Sequence, residues 1–240
     1  MKDGSWTYAL VLILSLAYPL AQSFERRLRM WKRFRFLFPG ILLTAIPFLI
    51  WDVHFARTGI WGFNPNYVGD LFIGGLPIEE WLFFLVVPYA CFFIYEVLRY
   101  FVKKFYFPAA SRWIITGLLI LSILSLPFIY TRTYTLTAVL FVIPFLALQL
   151  VIRSYEKWLS GFLLMYLVSA IPFLIVNGIL TSLPVVWYNN AENLGLRIFT
   201  IPVEDLIYLM GMLLPAMTLY QYLLGRSGKT ELRGAPSSGF

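Results

Sequence analysis

Charge is the scarcest property of this sequence, since only 13% of its 240 residues are charged whereas 60% are hydrophobic. A water-soluble domain of this length could not bury so much apolar surface, whereas a lipid bilayer accommodates it. Histidine and cysteine occur once each, as His54 and Cys91. A disulfide within the chain and a Cys/His metal cluster are therefore excluded. The composition predicts an integral membrane protein.

Fingerprints of common cofactor and nucleotide sites are also missing from the sequence. It contains no GxGxxG, no Walker loop and no HExxH. We therefore expect neither a bound cofactor nor a metal. The net charge of +7 comes from short basic clusters between apolar runs. This pattern is typical of cytoplasmic loops, and it argues against a nucleic-acid partner, which would require a continuous basic face.

Seven apolar runs are long enough to cross a bilayer. They cover residues 6–22, 36–51, 80–98, 113–130, 134–152, 158–178 and 204–224. Most of the 19 basic residues fall in loops on one side of the membrane; the exceptions are Lys2, Arg57, Arg132 and Arg197. The positive-inside rule then predicts an external amino terminus and a cytoplasmic carboxyl terminus in the cell membrane.

The sequence repeats itself at an offset of 125 residues. The hexapeptide AIPFLI occupies residues 45–50 and again 170–175, and the same offset relates Pro77 to Pro202. A proline in the first helix of each repeat keeps this spacing too. Landmarks in register without a gap indicate an internal duplication. Three helices per repeat plus one linking helix return the second copy to the same orientation, so we expect parallel repeats with a shared site between them.

The predicted fold is therefore all-α, a polytopic membrane protein with seven transmembrane helices in which two parallel three-helix repeats are joined by a linking helix. Its predicted units are residues 1–105 for the first repeat, 106–132 for the linking helix, 133–225 for the second repeat and 226–240 for a disordered cytoplasmic tail.

An acidic doublet follows a proline at the start of the third helix of each repeat. The two motifs consist of Pro77, Glu79 and Glu80, and of Pro202, Glu204 and Asp205. Proline and acids in a first turn are also an ordinary helix start, because proline loses no hydrogen bond there and the acids favour the positive end of the dipole. Recurrence in both repeats, at a membrane boundary, favours a functional role.

The chemistry of such a doublet suits proton transfer. Burial of a carboxyl group and a neighbouring carboxylate both favour its neutral form, so a pair divides into a proton donor and a charged partner. Aromatic faces nearby can stabilise a cation, although rings at this depth also form interface belts. The candidate substrate-binding residues, close to the doublets or paired between repeats, are Trp51, Asp52, Trp61, Phe63, Asn64, Trp81, Phe83, Asn177, Trp187, Asn189 and Tyr208.

The sequences PIEE at 77–80 and PVED at 202–205, the three-helix duplication and the aromatic outer loops resemble the membrane-integral lycopene cyclases, in their fused form. The resemblance covers about residues 6–225. It implies a redox-neutral reaction in which an acid protonates the terminal double bond of a ψ-end of lycopene. The neighbouring double bond attacks the resulting cation, and loss of a ring proton gives a β-ionone ring, and hence γ-carotene and β-carotene.

The resemblance further implies that Glu79, Glu80, Glu204 and Asp205 are catalytic and that no cofactor takes part. It also suggests association with other enzymes of the carotenoid pathway. Among the acids, Glu79 and Glu204 are favoured because the same acid stands at this position in both repeats. Asp52 pairs with Asn177 at the repeat offset, so the two halves are not chemically equivalent.

A small-molecule transporter is the alternative, because three-one-three parallel repeats are also a transporter plan. Its route should be lined by many polar groups at mid-membrane depth, whereas the spans here are almost entirely apolar. A retinal-binding receptor would need a lysine in the last helix, and residues 204–224 contain none. The cyclase interpretation is therefore preferred.

Overall fold

The computed structural model describes residues 6–102 and 106–234, with side chains as far as Arg226. Within these ranges the chain forms seven α-helices, and short strands connect them at one end of the bundle. The helices are α1 (Thr7–Gln22), α2 (Phe34–Thr58), α3 (Ile78–Phe101), α4 (Pro108–Ile129), α5 (Thr133–Val151), α6 (Leu159–Ser182) and α7 (Glu204–Gly234).

Six of these helices, α2 to α7, are long and apolar enough to cross a membrane. Helix α1 is apolar but has only 16 residues. At a rise of ~1.5 Å per residue it spans about 24 Å, somewhat less than the ~30 Å of a hydrocarbon core. Each apolar run of the sequence corresponds to one helix, and the predicted all-α fold is confirmed.

Helix α2 continues to Thr58, beyond residue 51 where its apolar run ends. The added turns bury Asp52 and Phe55 inside the bundle. A hydropathy scan treats each polar residue as facing lipid, so an inward-facing carboxyl group shortens the apparent span. Helix α7 likewise runs on to Gly234, into the segment predicted to be a tail, and residues 235–240 of that segment lie outside the described residues.

Helix packing joins the two repeats into one core. Within each repeat the first helix packs on the third, α1 on α3 and α5 on α7. The second helix crosses over instead, because α2 packs mainly on α7 and α6 packs on α3. Helix α4 packs chiefly against α5 at the edge of the bundle. Side chains of one repeat therefore reach the third helix of the other.

A short hairpin precedes the third helix of each repeat. The first consists of β2 (Phe72–Ile73) and β3 (Leu76–Pro77), and the second of β5 (Arg197–Ile198) and β6 (Ile201–Pro202). Phe72 faces Pro77 in the first, and Arg197 faces Pro202 in the second. The registers agree at the 125-residue offset, so the two copies share their local structure as well as their sequence pattern.

The loops of the two repeats also pair with each other. Strand β1 (Trp61–Phe63) runs antiparallel to β4 (Val186–Tyr188), with Gly62 opposite Trp187. These two residues are equivalent at the 125-residue offset, and an element that pairs with its own equivalent lies on a twofold axis. A Cβ atom on Gly62 would lie 2.4 Å from Cζ2 of Trp187, so the Trp187 ring in this position leaves room only for glycine. The repeats are thus related by a pseudo-twofold axis through this pair.

Candidate active site

Each acidic doublet occupies the first turn of a helix that directly follows a hairpin. Strand β3 ends at Pro77 and α3 begins at Ile78, while β6 ends at Pro202 shortly before α7. Pro77 has an extended backbone (φ −62°, ψ 150°), which turns the chain from strand into helix. Neighbouring residues on a helix point ~100° apart, so the two acids of a doublet face different surroundings.

The first acid of each doublet is buried against its own loop. Glu79 Oε1 accepts a hydrogen bond from the Gly69 backbone N–H at 2.8 Å, and Glu204 Oε1 accepts one from the Leu194 backbone N–H at 2.7 Å. The donors are again 125 residues apart. Thr135 Oγ1 also donates to Glu204 Oε1 at 2.7 Å. Among the described residues, the second oxygen of each of these carboxyl groups has no hydrogen-bond partner.

The second acid of each doublet is hydrogen-bonded by tyrosines. The Tyr8 hydroxyl donates to Glu80 Oε2 at 2.6 Å, and the Tyr134 hydroxyl donates to Asp205 Oδ1 at 2.7 Å. Tyr188 donates to the other Asp205 oxygen at 3.1 Å. Both carboxyl groups are buried. The second repeat therefore gives its acid two phenol donors where the first gives one.

Tyr188 lies in strand β4, outside the helices, and its half-buried side chain lines the cavity. Burial raises the pKa of this phenol well above its usual value, and the nearby Asp205 carboxylate raises it further. The phenol therefore stays protonated and keeps donating its hydrogen bond to Asp205 over the whole physiological pH range.

A third buried carboxyl group breaks the symmetry between the repeats. The Tyr208 hydroxyl of α7 donates to Asp52 of α2, at 3.1 Å from Oδ1 and 3.2 Å from Oδ2. At the repeat offset, Asn177 stands in place of Asp52 and Phe83 in place of Tyr208. This hydrogen-bonded pair therefore has no chemical equivalent on the other side of the axis.

A cavity of about 40 Å³ lies between the repeats, where these groups meet. Glu80 of the first repeat and Asp205 of the second both line it. The remaining wall is largely aromatic, and it includes Tyr8, Trp61, Phe63, Phe83, Tyr134, Phe173, Tyr188 and Tyr208. The ring of Trp61 packs edge to face on Tyr134 at 5.1 Å and on Tyr208 at 5.8 Å. The site is a shared acidic cavity lined largely by aromatic rings.

The structure brings part of the predicted site together at this cavity. The predicted residues that line it are Trp61, Phe63, Glu80, Phe83, Asn177, Asp205 and Tyr208. Asp52 and Trp51 lie directly behind Tyr208, the former hydrogen-bonded to it and the latter with its ring centroid 5.5 Å away. The other motif residues, Pro77, Glu79, Pro202 and Glu204, adjoin the cavity without lining it.

Four predicted substrate contacts lie in the loops instead. Asn64 Oδ1 accepts from the Asn66 N–H and Asn189 Oδ1 from the Ala191 N–H, each at 3.0 Å, so both asparagines form turns. Trp81 Nε1 donates to the Ile73 carbonyl at 3.2 Å and ties α3 to its hairpin. The remaining residue, Trp187, packs over β1. In the structure these four support the loop architecture.

Seven residues that line the cavity were not among the predicted site residues: Tyr8, Tyr134, Phe173, Leu180, Thr181, Val186 and Tyr188. The first two follow a threonine at the start of the first helix of each repeat, in the dipeptides Thr-Tyr at 7–8 and 133–134. Their spacing is 126 rather than 125. A comparison of the repeats that allows a shift of one residue would have identified the tyrosines. Phe173 and its repeat partner Phe48 both belong to the repeated AIPFLI hexapeptide. The repeat therefore does not distinguish the phenylalanine that lines the cavity from the one that does not.

Fold and site together define a class: a duplicated helical membrane protein in which each repeat contributes one acid to a shared aromatic cavity. A sequence profile described as lycopene cyclase matches residues 5–98 and again residues 131–223, one match for each repeat. No curated protein and no solved structure matches the chain. Since the profile covers well over half of the 240 residues, the chain belongs to the lycopene cyclase family.

Membership confirms the resemblance found in the sequence. It makes the protein an enzyme of carotenoid cyclisation that works in a membrane on a carotenoid substrate. The transporter alternative is thereby disfavoured, because the lycopene cyclase profile matches each of the two repeats that had suggested it.

Proposed function

We propose that this enzyme is a lycopene β-cyclase, which isomerises the acyclic ψ-ends of lycopene to β-ionone rings by acid–base chemistry. The observation that carries the proposal is the shared cavity, in which Glu80 and Asp205 face one aromatic-lined space from opposite repeats. The family supplies the substrate class, and two buried carboxyl groups supply what a redox-neutral cyclisation requires, one proton given and one proton taken.

The hydrogen bonds suggest how the two roles are divided. Asp205 accepts from two phenols, Tyr134 and Tyr188, and hydrogen bonds to the charged form stabilise it. Glu80 accepts from Tyr8 alone. Glu80 therefore delivers its proton to the terminal double bond, and ionised Asp205 takes the ring proton after closure. Return of that proton to Glu80 resets the enzyme, so no atom or electron is gained or lost overall.

The aromatic wall stabilises the cation that exists between these two steps. Trp61, Phe63 and Phe83 present ring surfaces to the cavity, and a positive charge over such a face gains ~2 kcal/mol or more when desolvated. The same rings exclude bulk water, which would otherwise capture the cation. Asp205 adds a fixed negative charge in a site of low dielectric.

Glu79 and Glu204 take a positioning role in this proposal. Each accepts a hydrogen bond from the backbone N–H of a loop residue ten positions earlier, Gly69 or Leu194. They thereby fix the first turn of α3 and of α7, on which the neighbouring acid stands. This assignment differs from the preference for Glu79 and Glu204 derived from the motif alone.

Membrane orientation follows from the charge distribution. The cavity lies at the end of the bundle where α1, α3, α5 and α7 begin, close to the amino terminus. Most of the basic residues that the structure describes lie at the opposite end, among them Arg33, Arg99 and Arg153. The positive-inside rule then places the cavity toward the outer face and the carboxyl terminus in the cytoplasm. Reporter fusions at each loop would test this orientation.

The decisive experiment is expression in a lycopene-accumulating bacterium, followed by pigment chromatography and normalisation to folded protein. The parental enzyme should convert lycopene to γ-carotene and β-carotene. Glu80→Gln and Asp205→Asn should each lower the rate by about a hundredfold or more, because they remove a proton carrier without changing shape. Glu79→Gln and Glu204→Gln should lower chiefly the yield of folded enzyme.

The matched control is Glu156→Gln, which changes an exposed acid near the cytoplasmic end and should leave the rate unchanged. Near-parental rates in all four motif variants would refute the catalytic interpretation and favour an ordinary helix start. Loss of activity confined to Glu79→Gln and Glu204→Gln would reverse the roles assigned within each doublet.

A further inference from the structure

An apolar groove of about 450 Å³ opens on the lipid-facing side of the bundle between α1, α3 and α6. Leu14 and Tyr18 form its rim on α1, and both are largely exposed. Cys91 on α3 and Val176 on α6 lie deeper in it. The function proposed above rests on the acidic cavity and makes no use of this surface.

The groove adjoins the cavity, and on α1 and α3 it continues the cavity toward the middle of the membrane. On α1, Tyr8 lines the cavity and Val11 the beginning of the groove. On α3, Phe83 lines the cavity and Val87 the groove. Phe173 of α6 lines both and forms the wall between them. A molecule in the groove would therefore pass Phe173, which separates the groove from the cavity that holds the two acids.

The corresponding space on the other side of the pseudo-twofold axis is filled. There Phe141 of α5 lies seven residues after Tyr134, as Ser15 of the groove lies seven residues after Tyr8. Trp51 of α2 stands in place of Val176, and its ring centroid is 5.2 Å from that of Phe141. Phe141 also packs on Phe48 at 4.9 Å. Two large rings thus replace a serine and a valine.

We propose that the groove between α1, α3 and α6 binds the acyclic polyene chain of the substrate while the reacting end passes Phe173 into the cavity. This assignment rests on the proposed cyclase function and adds a substrate-binding site to it. The groove lining is almost entirely apolar, which matches a hydrocarbon chain, and its open side faces lipid, where such a substrate is dissolved.

The dimensions suit part of an extended chain. Along α6 the lining runs from Ser169 to Ile179, about 15 Å at ~1.5 Å per residue, or roughly half of a hydrocarbon core. One half of a long polyene lies in the groove, and the other half remains in lipid. Because the cavity itself is only about 40 Å³, the ψ-end enters when Phe173 and its neighbours move apart.

The test is binding of lycopene to the purified enzyme, measured by absorbance of pigment per folded protein in nanodiscs. Ser15→Phe and Val176→Phe fill the groove in the way that the opposite side is filled, and each should weaken lycopene binding at least tenfold. Ile13→Phe adds the same ring to α1 at a lipid-exposed position outside the groove and should bind as the parental enzyme does.

Binding is read separately from turnover, so the two proposals can fail independently. Groove variants that remain folded and bind lycopene with parental affinity would overturn the groove assignment whatever the activity. A parental enzyme that binds lycopene without converting it would contradict the proposed function and leave the groove in place.

A second measurement needs no substitution. Cys91 is the sole cysteine and lines the groove. A small uncharged thiol reagent should modify it more slowly when lycopene is bound, as followed by mass spectrometry over time. Equal rates with and without lycopene would overturn the assignment even if the bulky variants failed to fold.

Discussion

At the scale of single residues, phenol groups donate the side-chain hydrogen bonds to the two acids of the cavity. Tyr134→Phe removes one donor from Asp205, and a hydrogen bond to a charged group contributes ~1.5–3 kcal/mol. We expect kcat to fall about tenfold or more, with less effect on KM. Tyr130→Phe, at an exposed position nearby in sequence, is the control. Unchanged kcat in Tyr134→Phe would contradict a role for this phenol.

The raised pKa of Tyr188 leads to a prediction about how the cyclisation rate depends on pH. Because burial raises its pKa well above the usual value of about 10, this group does not lose its proton between pH 8 and about 10. Tyr188→Phe should therefore lower the rate by a similar factor throughout this interval. Rates of the two enzymes measured across it should run parallel. An alkaline decline present in the parental enzyme and absent from the variant would show that Tyr188 titrates there.

Sequence alone could identify the doublets but not the roles of their members. Glu79 and Glu80 are neighbours in the same first turn, and which of them faces the cavity depends on how α3 is rotated against α1 and α6. That rotation is set by packing between residues far apart in the chain. The Tyr8–Glu80 hydrogen bond, for example, spans 72 positions. No local pattern specifies it.

At the scale of elements, the loop before α3 depends on a close approach at Gly69. A Cβ atom there would lie 2.9 Å from Glu79 Oε1, so Gly69→Ala should displace the carboxylate and break its hydrogen bond. We expect a loss of about 1–3 kcal/mol in the free energy of unfolding. Thermal unfolding of the purified protein measures it. Gly117→Ala in α4 is the control: nothing lies within 4 Å of that site, so alanine there should not lower the stability.

A stable Gly69→Ala enzyme would contradict this positioning role of Glu79. The second repeat offers an internal comparison, since it has Leu194 where the first has Gly69, and Leu194 donates the same backbone hydrogen bond to Glu204. The backbone interaction is common to both repeats, although a residue with a side chain stands at this position in the second.

Elements differed in how far they could be predicted. The helices could be predicted because a bilayer requires long apolar segments, and each of the seven apolar runs corresponds to a helix. The hairpins and the β1–β4 pairing were not, since strands of two or three residues produce no periodic signal. The packing of α2 on α7 could not be predicted from the sequence for another reason. It places Asp52 next to Tyr208, a contact over 156 positions that only the assembled bundle creates.

At the scale of the whole molecule, the cavity requires both repeats. Co-expression of residues 1–105 and 106–240 as separate chains should restore cyclisation, because α2 and α3 pack on α7 and α6 across the boundary. Either fragment alone should be inactive, since each supplies one cavity acid. Pigment analysis of the co-expressing cells measures the outcome. Glu80→Gln in the first fragment should abolish the restored activity, and activity from one fragment alone would contradict a shared site.

The pairing of Gly62 with Trp187 shows that the two repeats have diverged in sequence. In a dimer of identical subunits the residue on the twofold axis meets its own copy, so glycine would face glycine or tryptophan would face tryptophan. A small residue against a large one is possible only after the two genes have diverged. The two flanks differ in the same way, since one has an open groove and the other is filled with aromatic rings. Because the two repeats are encoded separately, the two sides of this pseudo-symmetric bundle carry different side chains and can bind different parts of one substrate.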